Sequence, residues 1–213
     1  MNCYVYKNEI SENQEGVVVI SSENKLMMNK IIKNSENGVY VLTIDDILND
    51  SEVKLNLISQ NTKHGVLLEG LNNFAIVQSN YNISENGQCG ICVSDSAEVR
   101  ITNNFIYYNK GQGILLQEST IAKVHLNNIF KNFKANLALG GENSGDHLIT
   151  KNVIHGSCSE GIYIIKGGCM TINKNEVFNN YDGIVIENSC PELKSNKIRN
   201  RNFSHNRDNN VYD

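Results

Sequence analysis

Residues 104–116 read NFIYYNKGQGILL, and the same phrase returns in outline as NKIIKNSENGVYV at residues 29–41 and as NEVFNNYDGIVI at residues 175–186. The shared pattern is an Asn, an apolar run, a second Asn, a short polar stretch, and then a Gly that opens another apolar run. It recurs about every 23 residues. A period in the twenties indicates supersecondary units that cannot bury their apolar faces singly, so neighbouring units must stack into one continuous core.

Each repeat contains three short apolar runs with alternating or adjacent apolar positions, which predict strands. Three strands per repeat with Asn or Gly at the bends predict an all-β fold, a parallel β-helix of about nine coils. The general rule for parallel crossovers makes it right-handed. Leucine-rich repeats have a similar period, but they are dominated by Leu, whereas this chain is rich in Ile, Val and Asn. In one repeat the runs are Val99 with Ile101, Phe105 with Ile106, and Ile114 with Leu116.

Asparagine recurs in two columns, for which we predict a structural role. Asn tolerates the left-handed backbone that a bend requires, and stacked amides can hydrogen-bond along a column. The first column is predicted at Asn8, Asn29, Asn56, Asn104, Asn127, Asn152, Asn175 and Asn196, with a degenerate copy near Tyr81. The second is predicted at Asn13, Asn34, Asn61, Asn86, Asn109, Asn132 and Asn180. The bend glycines are Gly16, Gly38, Gly65, Gly90, Gly113, Gly161 and Gly183, with Asn136 in their place once.

The repeat runs through residues 1–200 without a Pro- or Ser-rich linker, so we expect one domain followed by a polar tail at 201–213. A net charge of −4 gives no basic stripe for nucleic acid. No segment approaches the roughly 20 apolar residues of a membrane span. Residues 1–10 lack the features of a secretory signal, and the six cysteines show no regular pairing pattern. These features favour reduced thiols and a cytoplasmic location.

Candidates for metal chemistry are weak, and we predict neither a metal nor a cofactor. The C-x-x-C formed by Cys89 and Cys92 straddles a bend glycine and has no second copy, which favours two incidental residues over a zinc or redox site. An insertion contains Asp45, Asp46 and Asp50, without the ligand spacing of a dedicated calcium loop. The histidines are expected at different corners of the coil. They are His64, His125, His147, His155 and His205.

The strand after each bend glycine follows the pattern Gly-apolar-x-apolar, in which the middle residue should face outward. Almost none of these middle residues is polar, and such a row exceeds what soluble monomers usually leave exposed. We therefore predict that a protein partner, or another part of the same polypeptide, covers it. Simple strand propensity is the alternative explanation. We call this row the outer stripe, and it consists of Val18, Tyr40, Leu67, Cys92, Leu115, Ala138, Tyr163 and Val185.

The phrase in residues 161–198, GIYIIKGGCMTINKNEVFNNYDGIVIENSCPELKSNKI, resembles the parallel β-helix repeats of carbohydrate-active proteins and of some intracellular adaptors. Among the adaptors it is similar to the β-helix regions of F-box-only ubiquitin-ligase adaptors and SHC SH2-domain-binding proteins. The resemblance covers nearly the whole chain. It implies a β-helix fold, and this fold is compatible with several functions.

The motifs expected of a sugar-cleaving β-helix are mostly missing. Polygalacturonases resemble one another in Asn-Thr-Asp, Asp-Asp, Gly-His-Gly and Arg-Ile-Lys, of which only the Asp45-Asp46 pair occurs here. Pectate-lyase-like sites need stacked acidic calcium ligands with a basic Arg, and Arg100 has no acidic stack around it. We therefore expect a non-catalytic scaffold or adaptor that binds protein partners within a larger polypeptide or complex. A carbohydrate-binding or polysaccharide-cleaving module with a glycan partner, and a structural spacer in a cytoskeletal assembly, are the alternatives.

Overall fold

The chain folds into three parallel sheets, A, B and C, and successive strands along the chain join these sheets in turn. The computed structural model describes residues 3–21, 23–44, 48–117, 119–141, 146–167 and 170–200. Consecutive strands belong to different sheets, and each strand pairs with the strand three positions along the chain. This arrangement is a parallel β-helix, so the predicted fold class is confirmed. None of the described residues forms a helix that is long and apolar enough to cross a membrane.

Within the described ranges, sheets A and B contain nine strands each and sheet C contains eight, which gives eight complete coils and a ninth that contributes to sheets A and B. Sheet A comprises β1 (Cys3–Tyr6), β4 (Asn24–Met27), β7 (Glu52–Lys54), β10 (Ile76–Gln78), β13 (Glu98–Thr102), β16 (Ile121–His125), β19 (His147–Thr150), β22 (Met170–Asn173) and β25 (Glu192–Lys194). Sheet B comprises β2 (Glu9–Ser11), β5 (Lys30–Ile32), β8 (Leu57–Ser59), β11 (Asn82–Ser84), β14 (Phe105–Tyr107), β17 (Asn128–Phe130), β20 (Val153–His155), β23 (Glu176–Phe178) and β26 (Lys197–Arg199). Sheet C comprises β3 (Val17–Ile20), β6 (Val39–Leu42), β9 (Val66–Glu69), β12 (Ile91–Ser94), β15 (Ile114–Leu116), β18 (Leu137–Gly140), β21 (Glu160–Ile165) and β24 (Asp182–Glu187).

Side chains alternate between the core and the surface in each strand, as the period-two pattern predicts. In β16, Ala122 and Val124 are buried while Ile121 and Lys123 are exposed. Inward residues of successive coils pair in register, so identical or similar apolar side chains stack along the axis. Burying one such side chain contributes about 1.5–3 kcal/mol, and repeating it over every coil gives a continuous core. One such row is Ile106, Ile129, Ile154 and Val177.

The first Asn column forms a hydrogen-bonded ladder at the bend between sheets A and B. The Asn104 side chain and backbone N–H both donate to Asn127 Oδ1, at 3.0 and 2.9 Å, and its side chain also donates to the Val77 carbonyl at 2.9 Å. Asn80 is a member that the repeat phrase concealed, because one extra residue separates it from its strand isoleucine, Ile83. The ladder comprises Asn8, Asn29, Asn56, Asn80, Asn104, Asn127, Asn152, Asn175 and Asn196.

The left-handed backbone at these bends lies one residue before each Asn, and not at the Asn as its residue type suggested. Leu126 (φ 56°) precedes Asn127, and Lys151 (φ 54°) precedes Asn152. A non-glycine residue in this region carries strain that the surrounding structure must offset. The buried amides of the ladder supply that compensation, so bend residues of many types are accepted.

The glycine column is required because each bend glycine touches the second Asn column of the following coil. A Cβ on Gly113 would lie 2.7 Å from Asn132 Nδ2. Asn136 replaces the glycine where the next coil carries Ser157 in place of the column Asn. The Asn136 amide fills the vacated position, since it accepts from Asn132 Nδ2 at 2.9 Å and donates to Asn180 Oδ1 at 3.0 Å. The two departures from the repeat therefore compensate for each other.

This compensation predicts a double-mutant result. We expect Asn136→Gly to lower the free energy of unfolding by about 1–3 kcal/mol, because the Asn132 amide loses its shortest hydrogen bond and Asn180 Oδ1 loses a donor. Ser157→Asn should also lower the free energy of unfolding, because the introduced asparagine side chain and the Asn136 side chain cannot both occupy the same position in the core. The double variant Asn136→Gly/Ser157→Asn restores the regular repeat and should recover most of the loss, as measured by urea unfolding. A double variant with the summed loss of both single variants would disprove the compensation.

Candidate functional site

The outer stripe lies in register on the outward face of sheet C, from β3 to β24. It is less exposed than its sequence predicts. Val18 is 47% exposed, but Cys92 and Ala138 are only 3% and 5% exposed, and the other five members are half-buried. Neighbouring side chains of adjacent coils cover one another, which reduces the apolar area on which the docking prediction depended.

Carboxylates flank the outer stripe and hold its two phenols protonated. Tyr40 Oη donates to Glu69 Oε2 at 2.7 Å, and Tyr163 Oη donates to Glu187 Oε2 at 3.0 Å. Partial burial and the hydrogen bond to its carboxylate raise the pKa of each tyrosine. Ser94 Oγ also donates to Glu69, at 3.0 Å. This face therefore carries negative charge. Its two tyrosines stay protonated and so cannot act as general bases.

Cations cluster on the outward face of sheet A between β13 and β19, where the exposed carboxylate of Glu98 also lies, two residues before Arg100. Arg100 on β13 and Lys123 on β16 are exposed and directly paired in register, and Lys151 stands at the bend after β19. In the part of the chain that the structure describes, none of these three cations forms an ion pair. The three cations outnumber the neighbouring carboxylate of Glu98, so this patch attracts anions although the whole chain has a net charge of −4. We call the group of Arg100, Lys123, His125, Thr150 and Lys151 the basic face.

His125 lies at the centre of the basic face. It pairs in register with Thr150, and its Nδ1 is 2.7 Å from Thr150 Oγ1, a hydrogen bond that fixes the orientation of the ring. Partial burial, together with the charges of Lys151 and Lys123, lowers the pKa of His125 below its ordinary value. These influences favour the neutral imidazole, which is the form that can accept a proton.

The combination of groups on the basic face suits one kind of chemistry. Removing a proton from a carbon next to a carboxylate develops negative charge on that carboxylate, and fixed cations stabilise the charge. Arg100 and Lys123 can hold such a carboxylate, and His125 can take the proton. In the tautomer whose Nδ1–H donates to Thr150 Oγ1, the His125 Nε2 lone pair can act as the base, and within the described residues Nε2 forms no hydrogen bond.

The basic face was missed because it is distributed over three repeats. Arg100 lacks the stacked acidic residues of a pectate-lyase-like site, and the histidines are expected at different corners of the coil, so neither indicates the basic face. The informative signal is the register of the outward positions in the strand before the first Asn column. Aligned on Asn104 and Asn127, Arg100 and Lys123 occupy the same position of successive repeats.

The remaining histidines lie apart, as their positions in the repeat indicate. His64 lies beside sheet C, where its Nδ1 accepts the Cys89 backbone N–H at 3.2 Å. His155 is stacked in a column of aromatic rings on sheet B. His147 faces the core, and burial lowers its pKa to about 4. His205 lies outside the described residues.

No three His, Cys, Asp or Glu side chains within the described ranges are grouped so that they could hold a metal ion. Asp45 and Asp46, the acidic pair of the first insertion, fall outside those ranges, as does the predicted tail at 201–213. Asp50 is described and exposed. That this insertion holds no calcium ion therefore stays a prediction.

Comparison with known proteins gives a family match and a group of similar structures. The family model described as the right handed beta helix region matches residues 1–144. The periplasmic alginate epimerase AlgG has a TM-score of 0.80 at 15% identity over 92% of this chain. The A-modules of the Azotobacter vinelandii mannuronan C-5 epimerases AlgE6 and AlgE4 have TM-scores of 0.63 and 0.57, at 14% and 12% identity, over 79% and 93% of this chain. No curated protein matches the sequence.

These similarities are low in sequence identity and show a shared fold. This chain spans 50% of the AlgG chain, 45% of the AlgE6 module and 74% of the AlgE4 module. All three named structures are epimerases, so they contradict the expectation of a non-catalytic scaffold, adaptor or cytoskeletal spacer. That expectation assigned function from the apolar outer stripe and from absent acidic motifs, and it overlooked the polar groups of sheet A.

Proposed function

We propose, from the premise that this chain belongs to the right-handed β-helix family, that it binds and modifies a polysaccharide bearing carboxylate groups. The observation that supports this most strongly is the position of His125, which is hydrogen-bonded to Thr150 on the same face as the paired Arg100 and Lys123. The similarity to enzymes named for alginate and mannuronan agrees with it. A carboxylated sugar supplies both the anion that Arg100 and Lys123 attract and the acidic proton that a histidine can remove.

The proposed step follows from the positions of these groups. Arg100 and Lys123 bind the sugar carboxylate and stabilise the charge that develops on it. His125 accepts the proton from the neighbouring carbon, while Thr150 holds its ring in place. A proton delivered from solvent to the opposite side of the sugar gives an epimer, whereas loss of the neighbouring glycosidic oxygen, which leaves as an alcohol after taking up a proton, gives a cleaved chain. Analysis of the products distinguishes the two reactions.

Charge also argues against sheet C as the site for such a polymer. Glu69 and Glu187 lie directly beside the outer stripe, and Glu15 and Asp95 also contribute negative charge around Tyr40. A polyanion approaching this face would be repelled, since like charges in proximity disfavour association. The basic face and the sheet C face should therefore differ sharply in their affinity for acidic glycans.

A binding experiment tests the proposal. We expect the protein to bind immobilised polyuronates, such as alginate and polygalacturonate, in preference to a neutral glycan such as dextran. The variant Arg100→Glu/Lys123→Glu should lose at least about tenfold in affinity, which corresponds to about 1.4 kcal/mol. Binding of the unmodified protein should weaken as salt is added, because the contact is electrostatic.

A matched charge reversal provides the control. Lys110 and Lys134 are exposed on bends of successive coils between sheets B and C. The variant Lys110→Glu/Lys134→Glu changes the net charge by the same amount as the test variant. It should keep most of the affinity if the basic face is the binding surface. Equal losses for both variants, or equal binding of dextran and polyuronate, would contradict the proposal.

A further inference from the structure

A cleft of about 430 Å³ lies on sheet A beside the basic face. Leu148 and Thr171 line this cleft. Together with Arg100 and Lys123 they form part of one row of outward residues that pair in register along the axis. The volume falls within the roughly 300–1,000 Å³ of small-molecule sites. Coils repeat about every 4.8 Å, a rise similar to that of one sugar in an extended chain. A polymer that is bound at Arg100 and Lys123 and runs along this row therefore places its next sugar in the cleft.

The lining of the cleft differs from the basic face in charge. It contains the exposed carboxylates of Asp146 and Glu192, and none of its described residues is a lysine or an arginine. Glu192 Oε1 pairs with Lys194 outside the lining at 2.5 Å, and Thr171 Oγ1 donates to Glu192 Oε2 at 3.4 Å. A sugar carboxylate in the cleft would meet charges of its own sign. The hydroxyl and amide N–H groups of an uncharged sugar would find hydrogen-bond acceptors there.

Apolar side chains complete the lining of the cleft. Leu148 is 36% exposed, and Met170, which is 4% exposed, lies beneath the surface at the start of β22. A sugar that bears only hydroxyls gains little from such contacts, whereas an acetamido group offers a methyl group to an apolar surface and an N–H to an acceptor. Asp146 and Glu192 supply the acceptors. The cleft therefore suits an N-acetylated amino sugar better than a uronate or a plain hexose.

We propose that the polymer on which this protein acts alternates a uronate with an N-acetylated amino sugar. This inference rests on the proposed function, because the reacting uronate is the sugar held by Arg100 and Lys123. The amino sugar next to it occupies the cleft, where its methyl group packs on Leu148 and Met170. In a polymer made only of uronates, the same position would bring a carboxylate close to Asp146. The basic face thus selects the reacting sugar, and the cleft selects its neighbour.

Binding of two acidic oligosaccharides of equal length tests the proposal. A hyaluronan tetrasaccharide alternates glucuronate with N-acetylglucosamine, whereas every sugar of a mannuronate tetrasaccharide carries a carboxylate. We expect the hyaluronan tetrasaccharide to bind at least about threefold more tightly in calorimetry, although charge alone favours the mannuronate. Equal or tighter binding of the mannuronate, with both ligands above a dextran oligosaccharide, would overturn the alternating polymer and leave the proposed function standing. If neither ligand exceeds dextran, the proposed function fails and this inference fails with it.

Two matched lysine variants locate the amino sugar. Ile76 and Leu148 flank the Arg100–Lys123 pair on opposite sides of the same row, and of these two only Leu148 lines the cleft. Leu148→Lys fills part of the cleft with a flexible charged side chain, so it should weaken hyaluronan binding at least about threefold even though it adds a cation. Ile76→Lys adds the same charge outside the cleft and should not weaken this binding. Stronger hyaluronan binding in both variants would show that charge alone governs affinity and would overturn the proposal.

Discussion

Replacing Asn104 with alanine is expected to lower the free energy of unfolding by about 4 kcal/mol. Asn104 is 1% exposed, and its side-chain oxygen accepts from the backbone N–H and the side chain of Asn80, at 3.0 and 2.9 Å. Its amide donates to the Val77 carbonyl and to Asn127. Alanine removes these bonds and leaves several buried polar groups without partners, each of which costs about 1–3 kcal/mol. Urea unfolding followed by circular dichroism measures the change.

Asn128→Ala is the matched control for this prediction. Asn128 directly follows the ladder residue Asn127 and is half-buried, but within the described part of the chain its side chain forms no hydrogen bond. Its replacement should change the free energy of unfolding by less than about 0.5 kcal/mol. Similar losses for Asn104→Ala and Asn128→Ala would show that the ladder has no special contribution to stability.

The fold could be predicted from the sequence because it depends on features that repeat. An inward isoleucine such as Ile129 and a ladder residue such as Asn127 recur at the same place in each coil, so the period identifies both. Asn80 escaped the pattern because its coil carries one extra residue before Ile83. The left-handed bend residue was also assigned incorrectly. Stacked amides, and not the residue type at the bend, stabilise this conformation.

The candidate site could not be predicted in the same way because its residues occur once each. Arg100, His125 and Lys151 belong to three different repeats and do not form a linear motif. They come together only when the coil places successive outward positions next to each other, about 4.8 Å apart. A search for local motifs cannot detect them, but aligning the repeats on the first Asn column does. The burial of Cys92 and Ala138 in the outer stripe likewise depends on neighbours in adjacent coils.

The largest effect on activity is expected from His125→Gln. Glutamine keeps a hydrogen-bonding side chain of similar length but cannot accept a proton as a general base, so kcat on the polyuronate should fall by about 10²–10⁴-fold. Binding of the polymer should persist, because Arg100 and Lys123 remain. His155→Phe is the control, since it preserves the ring stack between Phe130 and Phe178 and should retain activity. Product formation is followed by proton NMR of the polymer.

The pH dependence provides an independent test of the role of His125. A protonated imidazole cannot act as a base, so activity should fall as the pH is lowered through the pKa of His125. The charge of Lys151 lowers that pKa. Replacing Lys151 with Met removes this charge, so the pKa should rise and activity should be lost at a higher pH than in the unmodified protein. If activity is lost at the same low pH in Lys151→Met as in the unmodified protein, the base is another residue. Full activity in His125→Gln would lead to the same conclusion and require a different site for the reaction.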